Sequence, residues 1–357
     1  MKVYKKPLLS HLIRSILFIG LVSCLTPVDF PVEIAGGRLV VSGQISTIPD
    51  QNIIQLGVTS EIERFPFPVS GANIVLLDNN GDSFSYIENI LKPGSFILPD
   101  VAGVPGRTYH IEILLSDGKL FKSNPEKMPE GSILNSVFNE IVKEDVVDAA
   151  GAFTSKNFLK IYTNSTITSP DNTFLKWNVQ EAFLFSPTDF PDPFNATPDP
   201  CFIVQNADPQ RVVQFDGATI DSKFIQGQLV ASREIDWSFL EKHYFTTYQS
   251  SITKEAFEYW RKVNILANQT GSIFDTPPAE ILGNIVSPNS PSEKVLGFFQ
   301  VVNQSYQRFV LYPSDLPFPI LNGKCDFDGI YDPNHYPYRC IDCASLLNSS
   351  FTRPDWF

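Results

Sequence analysis

Four cysteines carry the first chemistry that the sequence suggests, and they are Cys201, Cys325, Cys340 and Cys343. An even number of cysteines in an oxidising compartment favours disulfides, and the sequence leaves all three possible pairings open. Cys340 and Cys343 also have the C-x-x-C spacing of half a zinc site or of a thioredoxin-like redox motif. The other two cysteines lack that spacing, and the motif lies in a proline-rich tail instead of between a strand and a helix. Disulfides are therefore the predicted state.

An acidic run beside Cys325 is the best candidate for an ion site. Asp326, Asp328 and Asp332 surround Gly329, and three carboxylates could hold Ca²⁺ with the help of backbone carbonyls. The alternative, which the sequence favours, is an acidic turn next to the cysteine. Apart from this calcium candidate, the sequence predicts no cofactor.

Recognisable catalytic motifs are missing from the sequence. It has no G-x-S-x-G nucleophile elbow, no phosphate-binding G-x-x-x-x-G-K-[ST] loop and no H-E-x-x-H helix. The histidines at positions 110, 243 and 335 stand in no context that is typical of a triad. We therefore predict a non-catalytic protein with no catalytic residues. Hydrolysis of a glycan or peptide is the catalytic alternative, because any two of the 39 acidic residues could meet in space.

The first 23 residues have the three parts of a secretory signal peptide. Four basic residues precede a short apolar run, residues 15–22, which is too short to span a bilayer. The sequence Leu21-Val22-Ser23-Cys24 follows, and it resembles the lipobox of bacterial lipoproteins. After cleavage of residues 1–23, Cys24 is predicted to be the lipidated N-terminus, whose palmitate-type acyl chains anchor the protein to a membrane. Residues 24–37, with two prolines and a Gly-Gly pair, are predicted to form a tether.

The charge of the chain argues against polyanionic ligands. The whole chain has 27 Lys and Arg against 39 Asp and Glu, a net charge of −12. Residues 1–23 hold four of the basic residues and no acidic ones, so their removal leaves a net charge of −16. Nucleic acid and anionic lipid head groups need clusters of Lys or Arg. We therefore expect no nucleic-acid partner.

The predicted fold class is mainly β. The chain has 29 Phe, 12 Tyr and 28 Pro but only 2 Met, which favours strands and proline-rich loops over a helical bundle. Six short segments between residues 38 and 115 predict strands, with hairpin turns at 78–82 and 116–119. Residues 38–128 are therefore predicted to form an immunoglobulin- or transthyretin-like β-sandwich, followed by a linker near 124–129. In the last strand, Tyr109, Ile111 and Ile113 are expected to face inward and His110 outward.

Residues 129–357 are predicted to form a larger β-rich domain with one amphipathic helix. Strands are expected at 157–164, 173–185, 295–302 and 307–312. Thr253 is predicted to cap a helix whose apolar residues recur at helical spacing up to residue 267. The tail, residues 317–357, holds three cysteines and is predicted to be stapled to the body. Aromatic residues of the 185–194 loop and of the tail could stack on sugars or contact a partner barrel, and some of them are instead expected to fill the core. Those of the tail include Tyr336, Tyr338, Trp356 and Phe357.

Several segments, taken in order, resemble one known family. They are Pro27-Val28-Asp29-Phe30, Arg38-Leu39-Val40-Val41-Ser42-Gly43-Gln44-Ile45, the stretch 271–279, Gly283-Asn284-Ile285, Leu296-Gly297-Phe298-Phe299, Cys340-Ile341-Asp342-Cys343 and Arg353-Pro354-Asp355-Trp356-Phe357. Together they are similar to the Bacteroidota lipoprotein family catalogued as domain-of-unknown-function family 4249, over nearly the whole mature chain. No catalytic or binding residues are carried over, because the family has no established activity.

The resemblance implies a location and a partner. Members of the family look like outer-membrane lipoproteins that accompany TonB-dependent transporters, in the manner of the SusD-like lipoproteins that cap such transporters. We therefore expect a lipid-anchored outer-membrane protein, on the periplasmic or the cell-surface side, that binds a ligand or docks on a TonB-dependent β-barrel. The alternative from another class is a structural or adhesive surface lipoprotein, whose sandwich spaces a binding head from the membrane.

Overall fold

Strands dominate the structure, as the composition predicts. The computed structural model describes residues 37–60, 65–147, 151–186, 199–267, 280–321, 343, 346 and 348–357. These residues form twenty strands in three sheets, one α-helix and several 3-10 turns. The mainly β fold class is therefore confirmed.

The first ten strands are β1 (Leu39–Ser46), β2 (Ile53–Val58), β3 (Phe67–Pro68), β4 (Asn73–Asp78), β5 (Ser83–Ser85), β6 (Ile87–Glu88), β7 (Ser95–Ile97), β8 (Thr108–Leu114), β9 (Leu120–Ser123) and β10 (Glu126–Lys127). Each of the six predicted segments contains a strand, with 83–87 split into β5 and β6, whereas β3 and β10 were not predicted. Both predicted hairpins are present, because Leu77 pairs with Ser83 and Leu114 pairs with Leu120.

The alternation of side chains along these strands explains how they pack. In β8, Tyr109, Ile111 and Ile113 are at most 2% exposed, whereas His110 between them is only half-buried, as predicted. Because successive side chains point to opposite faces of a strand, one face of each sheet is apolar. The two apolar faces meet in a shared core, which is the arrangement of a β-sandwich.

The rest of the described chain contains several long strands, a few short ones and the α-helix. They are β11 (Ile133–Val147), β12 (Phe153–Thr166), β13 (Phe174–Phe185), β14 (Cys201–Asn206), β15 (Val213–Asp216), β16 (Phe224–Glu234), β17 (His243–Ile252), α1 (Lys254–Ala267), β18 (Ile285–Val286), β19 (Leu296–Leu311) and β20 (Ser349–Ser350).

The three sheets differ greatly in size. An eleven-stranded sheet has the order β20-β14-β13-β17-β19-β1-β2-β7-β6, with β15 beside β13 and β3 beside β2. A six-stranded sheet has the order β18-β9-β8-β4-β5, with β10 beside β8. The third sheet is β11-β12-β16. The six-stranded sheet packs on one half of the large sheet and the three-stranded sheet packs on the other half, so there are two main hydrophobic cores.

The two cores do not divide the chain at a single point. The predicted boundary at residue 128 falls between β10 and β11, where the chain leaves the first core for the second. Later, β18 pairs with β9 and β19 pairs with β1, so residues 285–302 return to the first core. Residues 36–357 accordingly form one compact unit. The predicted linker at 124–129 is wrong, because this segment contains the strand β10 and two buried side chains, those of Glu126 and Met128.

The strand that both cores share is β19. The sequence predicts two strands, 295–302 and 307–312, but the structure has one strand of 16 residues. Its first half pairs in parallel with β1 as far as Val302, and its second half pairs antiparallel with β17 from Asn303 onward. Polar residues interrupt the apolar pattern where the partner changes, which is why the sequence suggests a break.

Glycine is required where β19 begins. Gly297 has a φ of +89°, and a Cβ built on it would overlap the carbonyl oxygen of Val41 in β1. A Cβ built on Gly283 would overlap the carbonyl oxygen of Gly297. Three backbone segments therefore meet at distances that leave no room for a side chain.

We expect Gly297→Ala to lower the free energy of unfolding by roughly 3 kcal/mol or more, because a positive φ costs about 1–2 kcal/mol and the overlap adds to it. Gly118→Ala is the matched control, since Gly118 has a φ of +85° but nothing within 4 Å of its Cβ position. Urea denaturation followed by circular dichroism measures both losses. Equal losses in the two variants would contradict the close backbone contact.

Candidate functional site

The single helix among the described residues, α1, lies where the two cores meet. Thr253 caps the helix as the sequence predicts, because its hydroxyl oxygen accepts a hydrogen bond of 3.1 Å from the backbone N–H of Ala256. Ala256 is fully buried, and Tyr259 packs against Phe298 of β19 with ring centroids 4.8 Å apart. The helix therefore rests on the large sheet through its first turns.

A cleft of about 680 Å³ opens beside these first turns, and we call it the junction cleft. Its volume lies within the range of small-molecule sites. Residues from β10, β13, β17, α1 and β19 line it, together with the segment before β18. The lining residues include Glu126, Lys127, Phe174, Thr253, Lys254, Glu255, Glu258, Tyr259, Lys262, Asn284 and Phe298.

Glu126 is the most buried ionisable group of the junction cleft, at 6% exposed. The hydroxyl of Thr253 donates a hydrogen bond of 2.8 Å to its Oε2, and Nδ2 of Asn284 donates one of 3.0 Å to its Oε1. The backbone of Glu126 pairs with Tyr109 in β8. One carboxyl group thus joins the first sandwich, the start of α1 and the segment before β18.

Asn284 connects this group to β19. Its Nδ2 also donates to the carbonyl oxygen of Phe299 at 2.8 Å, and its Oδ1 accepts from the N–H of Phe299 at 2.9 Å. The side-chain amide therefore makes the two hydrogen bonds to the backbone of Phe299 that a neighbouring strand would otherwise make. Gly283 and Gly297 are in backbone contact beside it, so two of the segments that carry the family resemblance meet at the junction cleft.

Burial raises the pKa of Glu126 to about 7, and the charge of Glu255 acts in the same direction. The hydrogen bonds from Thr253 and Asn284 favour the ionised form, and they offset only part of the effect of burial. The carboxyl group therefore changes its charge near neutral pH. Carboxyl groups with such pKa values occur more often in functional clefts than elsewhere.

The other charges of the junction cleft are of both signs, and all are exposed except that of Glu258, which is half-buried and lies 2.8 Å from Arg261. Lys127, Lys254 and Lys262 are exposed, and Glu255 is exposed beside them. The aromatic rings of the lining supply apolar surface between these charges. This combination suits a ligand that has an apolar body and charged groups.

A second group of charges is buried in the second core. Glu181 and His243 are 1% and 0% exposed, and Nε2 of His243 lies 3.0 Å from Oε2 of Glu181. Nε of Arg233 donates to the same oxygen at 2.8 Å. Burial opposes the ionisation of Glu181, but the hydrogen bond with His243 and the charge of Arg233 outweigh it and lower its pKa. Because neither Glu181 nor His243 reaches solvent, the pair supports the sheet and cannot contact a substrate.

Cys201 and Cys343 form a disulfide, with Cα atoms 5.9 Å apart. This bond selects one of the pairings that the sequence leaves open. It also excludes Cys343 from a zinc site and from a redox pair with Cys340. The disulfide lies in a small apolar cluster, and β20 pairs with β14 next to it. The tail is thus attached to the body, as predicted.

The last two residues pack on the large sheet. Phe357 is 8% exposed, and its ring centroid lies 4.9 Å from that of Phe202 and 4.8 Å from that of Tyr244. The guanidinium group of Arg308 lies 3.7 Å from the ring centroid of Trp356, which is half-buried. Of the two roles that the sequence leaves open for these aromatic residues, Phe357 has the packing role, because its ring fills the core.

Several predicted site residues lie outside the described part of the chain. They are the lipidation residue Cys24, the cysteines Cys325 and Cys340, the calcium candidates Asp326, Asp328 and Asp332, and the tail residues Tyr336 and Tyr338. Within the described ranges, no three His, Cys, Asp or Glu residues are grouped so that they could hold a metal ion. In the same ranges, no helix has the length and apolar character needed to cross a membrane.

Sequence reasoning missed Glu126. It lies between Pro125 and Lys127 in a stretch that has the composition of a linker, and no neighbour marks it as buried. Asn284, by contrast, lies in a segment that carries the family resemblance. The resemblance assigned no binding role to that segment, so it did not identify the site.

A family model described as "Domain of unknown function (DUF4249)" matches residues 25–308, which is well over half of the chain. The chain belongs to this family. The glycine contact, the helix α1 and every residue named in the junction cleft of this DUF4249 protein lie within the matched range.

No curated protein is a significant match to this DUF4249 protein. A solved structure titled "Biofilm associated protein - BSP domain" is similar at 8% sequence identity, over 78% of this chain and 60% of that chain, with a TM-score of 0.14. The chain thus spans about 60% of the length of that structure. A likeness this low carries no argument about fold or function.

The raised pKa of Glu126 predicts how stability depends on pH. The folded protein keeps a proton that the unfolded chain releases above the ordinary pKa of 4.5. This stabilisation is complete below pH 4.5 and is lost as the pH rises through about 7. Between pH 5 and 8, the wild type should therefore lose on the order of 3 kcal/mol of stability relative to Glu126→Gln, which cannot ionise.

Urea denaturation of both proteins across this pH range measures the difference. Glu140→Gln is the control, because Glu140 is exposed on β11 and its replacement should act equally at each pH. A difference between wild type and Glu126→Gln that does not change with pH would contradict the raised pKa.

The disulfide joins residues that are 142 positions apart in the chain. Removing it by the double substitution Cys201→Ala and Cys343→Ala should lower the free energy of unfolding by roughly 3–5 kcal/mol. Mass spectrometry of a non-reduced digest should find a peptide that links Cys201 to Cys343, both in the wild type and in the control variant Cys325→Ala. A peptide that links Cys340 to Cys343 would contradict this pairing.

Proposed function

We propose that this DUF4249 protein is a non-catalytic outer-membrane lipoprotein, anchored by acyl chains on Cys24, that assists a TonB-dependent transporter. Its junction cleft binds the ligand of that transporter, and its body docks on the transporter barrel. The proposal combines the sequence of the export signal, membership of the family and the geometry of the cleft.

The observation that carries the ligand-binding role is the preformed shape of the junction cleft. Glu126, Thr253 and Asn284 hold its walls together through hydrogen bonds of 2.8 and 3.0 Å. Glu126 lies in β10, Thr253 caps α1, and the side chain of Asn284 is hydrogen-bonded to the backbone of β19. A cleft that keeps its shape without a ligand loses little conformational entropy when the ligand binds.

The proposed anchor and partner rest on the sequence. The segment Leu21-Val22-Ser23-Cys24 resembles a lipobox, and it follows a basic and then an apolar stretch. The family resemblance implies a place beside a TonB-dependent transporter. A lipid anchor would hold a binding body at the membrane in which such a transporter lies.

Hydrolysis of a glycan or peptide is the second candidate, and one observation favours it. Glu126 has a pKa of about 7, as a general acid does, and Glu255 lines the same cleft. Against this, both carboxyl oxygens of Glu126 are hydrogen-bonded and the residue is only 6% exposed. A bond to be cleaved would have to displace Thr253 or Asn284, so we favour a positioning role for Glu126.

Purification of the affinity-tagged full chain from membranes in mild detergent tests the proposal. We expect the wild type to carry acyl chains on Cys24 and to retain a β-barrel transporter, whereas Cys24→Ala should lack the acyl mass and leave the membrane fraction. Native mass spectrometry should detect a small ligand on the wild type and on the control variant Lys143→Glu, whose substituted side chain is exposed on β11 and does not line the cleft. Tyr259→Ala combined with Lys262→Glu should lower ligand retention at least about tenfold, which corresponds to about 1.4 kcal/mol.

Three outcomes would count against the proposal. An unacylated wild type would remove the anchor, and repeated absence of a barrel would remove the transporter role. Release of sugars or peptides from envelope polymers by the wild type but not by Glu126→Gln would favour the hydrolase instead.

A further inference from the structure

Four exposed apolar side chains project from one end of the first sandwich. Ile90 and Leu91 are 92% and 94% exposed, and Phe65 and Phe67 are 70% and 56% exposed. We call these four residues the apolar tip. Single apolar residues on a surface are ordinary, but neighbouring and almost fully exposed ones mark a contact surface.

The backbone holds the two parts of the apolar tip side by side. The two aliphatic residues lie in the turn between β6 and β7, which a hydrogen bond of 2.9 Å from the N–H of Lys92 to the carbonyl oxygen of Asn89 closes. The turn ends at Gly94, where a Cβ would lie 2.9 Å from the side chain of Pro68. Pro68 is the second residue of β3, and Phe67 is the first. The apolar tip is therefore a fixed feature of the fold.

The same end of the sandwich receives the chain that comes from Cys24. Strand β1 begins at Leu39, which pairs with Val58 of β2, and Val58 pairs with Phe67 on its other side. Neighbouring strands are about 4.8 Å apart, so Phe67 lies roughly 10 Å from Leu39. The turn between β6 and β7 lies about one further strand away. The apolar tip and the start of β1 thus share one end of the body.

The length of chain before this end limits its distance from a membrane anchor. Residues 25–36 separate Cys24 from Gly37, the first described residue. A chain of this length spans at most roughly 45 Å when fully extended. Acyl chains on Cys24 would therefore keep the end that carries the apolar tip within that distance of the bilayer.

The shape and chemistry of the apolar tip suit a fluid lipid surface better than a protein. Its two most exposed side chains stand at the apex of a tight turn, so they present a convex point and not a flat patch. Lys92 follows them directly, and a lysine in that place can extend its charge to lipid phosphates while its stem stays in the apolar layer. Side chains of this kind enter the boundary between head groups and acyl chains.

We propose that the apolar tip inserts into the bilayer to which Cys24 is anchored, and thereby sets the orientation of the body on the membrane. This inference rests on the proposed lipid anchor. The occupant of the surface is lipid, and the lipid source is the membrane that holds the acyl chains.

Quenching of tryptophan fluorescence by brominated lipid tests the insertion. The full-length acylated protein is reconstituted into uncharged vesicles of phosphatidylethanolamine and dibrominated phosphatidylcholine, and only protein that floats with the vesicles is measured. Leu91→Trp should gain emission that brominated lipid quenches at least about twofold. Phe153→Trp is the matched control, because Phe153 is 82% exposed at the turn end of the β11–β12 hairpin, which packs on the second core, and its added emission should not be quenched.

The outcomes separate this inference from the function on which it rests. Protein that floats but shows no quenching at position 91 would overturn the insertion and leave the anchor intact. Wild-type protein that does not float would overturn both. A photocrosslinker at position 91 that joins the protein to a barrel subunit in cells would also overturn the insertion, and would assign the apolar tip to a protein contact.

Discussion

The constraint on which the rest of the structure depends is that the single strand β19 borders both hydrophobic cores within one sheet. Its first half is the parallel partner of β1 and its second half is the antiparallel partner of β17. The start of β19 can reach β1 only because Gly297 and Gly283 leave no side chain between three backbones. A larger residue there would separate β19 from β1, and the two cores would lose their common sheet.

The junction cleft is a consequence of this shared strand. Asn284 follows Gly283 and hydrogen-bonds to the backbone of Phe299, so its position depends on the glycine contact. From there its amide holds Glu126, and Glu126 holds the cap of α1 at Thr253. The buried pair of Glu181 and His243 is different in kind, because it is closed to solvent and supports only the sheet around it. A buried carboxyl group therefore indicates a site here only where it also borders an opening.

Local patterns in the sequence were sufficient for most strands and for both hairpins between residues 39 and 123, because a strand alternates with a period of two residues and its turns use a few residue types. The mainly β class, the inward residues of β8 and the cap at Thr253 could be predicted in this way. The continuity of β19 could not, since each half is stabilised by a strand from a distant part of the chain. The two residues that hydrogen-bond to Glu126, Thr253 and Asn284, are 127 and 158 positions away from it in the chain, and no local pattern records such contacts. The family resemblance marked the segments around Gly283 and Gly297 but not the reason for them, which is their backbone contact. The lipid anchor and the transporter remain predictions.

The layout of β19 also bears on which of the proposed roles would suit the proposed membrane anchor. Its 16 residues span roughly 50 Å, with Leu296 beside the start of β1 and Leu311 in the second core. Phe298, at the junction cleft, is close to the end that carries the apolar tip. The hairpin of β11 and β12 packs on the other half of the strand and exposes Phe153 at its free end. In the orientation that we propose, with the apolar tip in the bilayer, the cleft would lie on the half of β19 nearer the membrane and the hairpin on the half farther from it. That arrangement would suit the proposed delivery of a ligand to a membrane partner, whereas an adhesive protein would need its contact surface on the farther half.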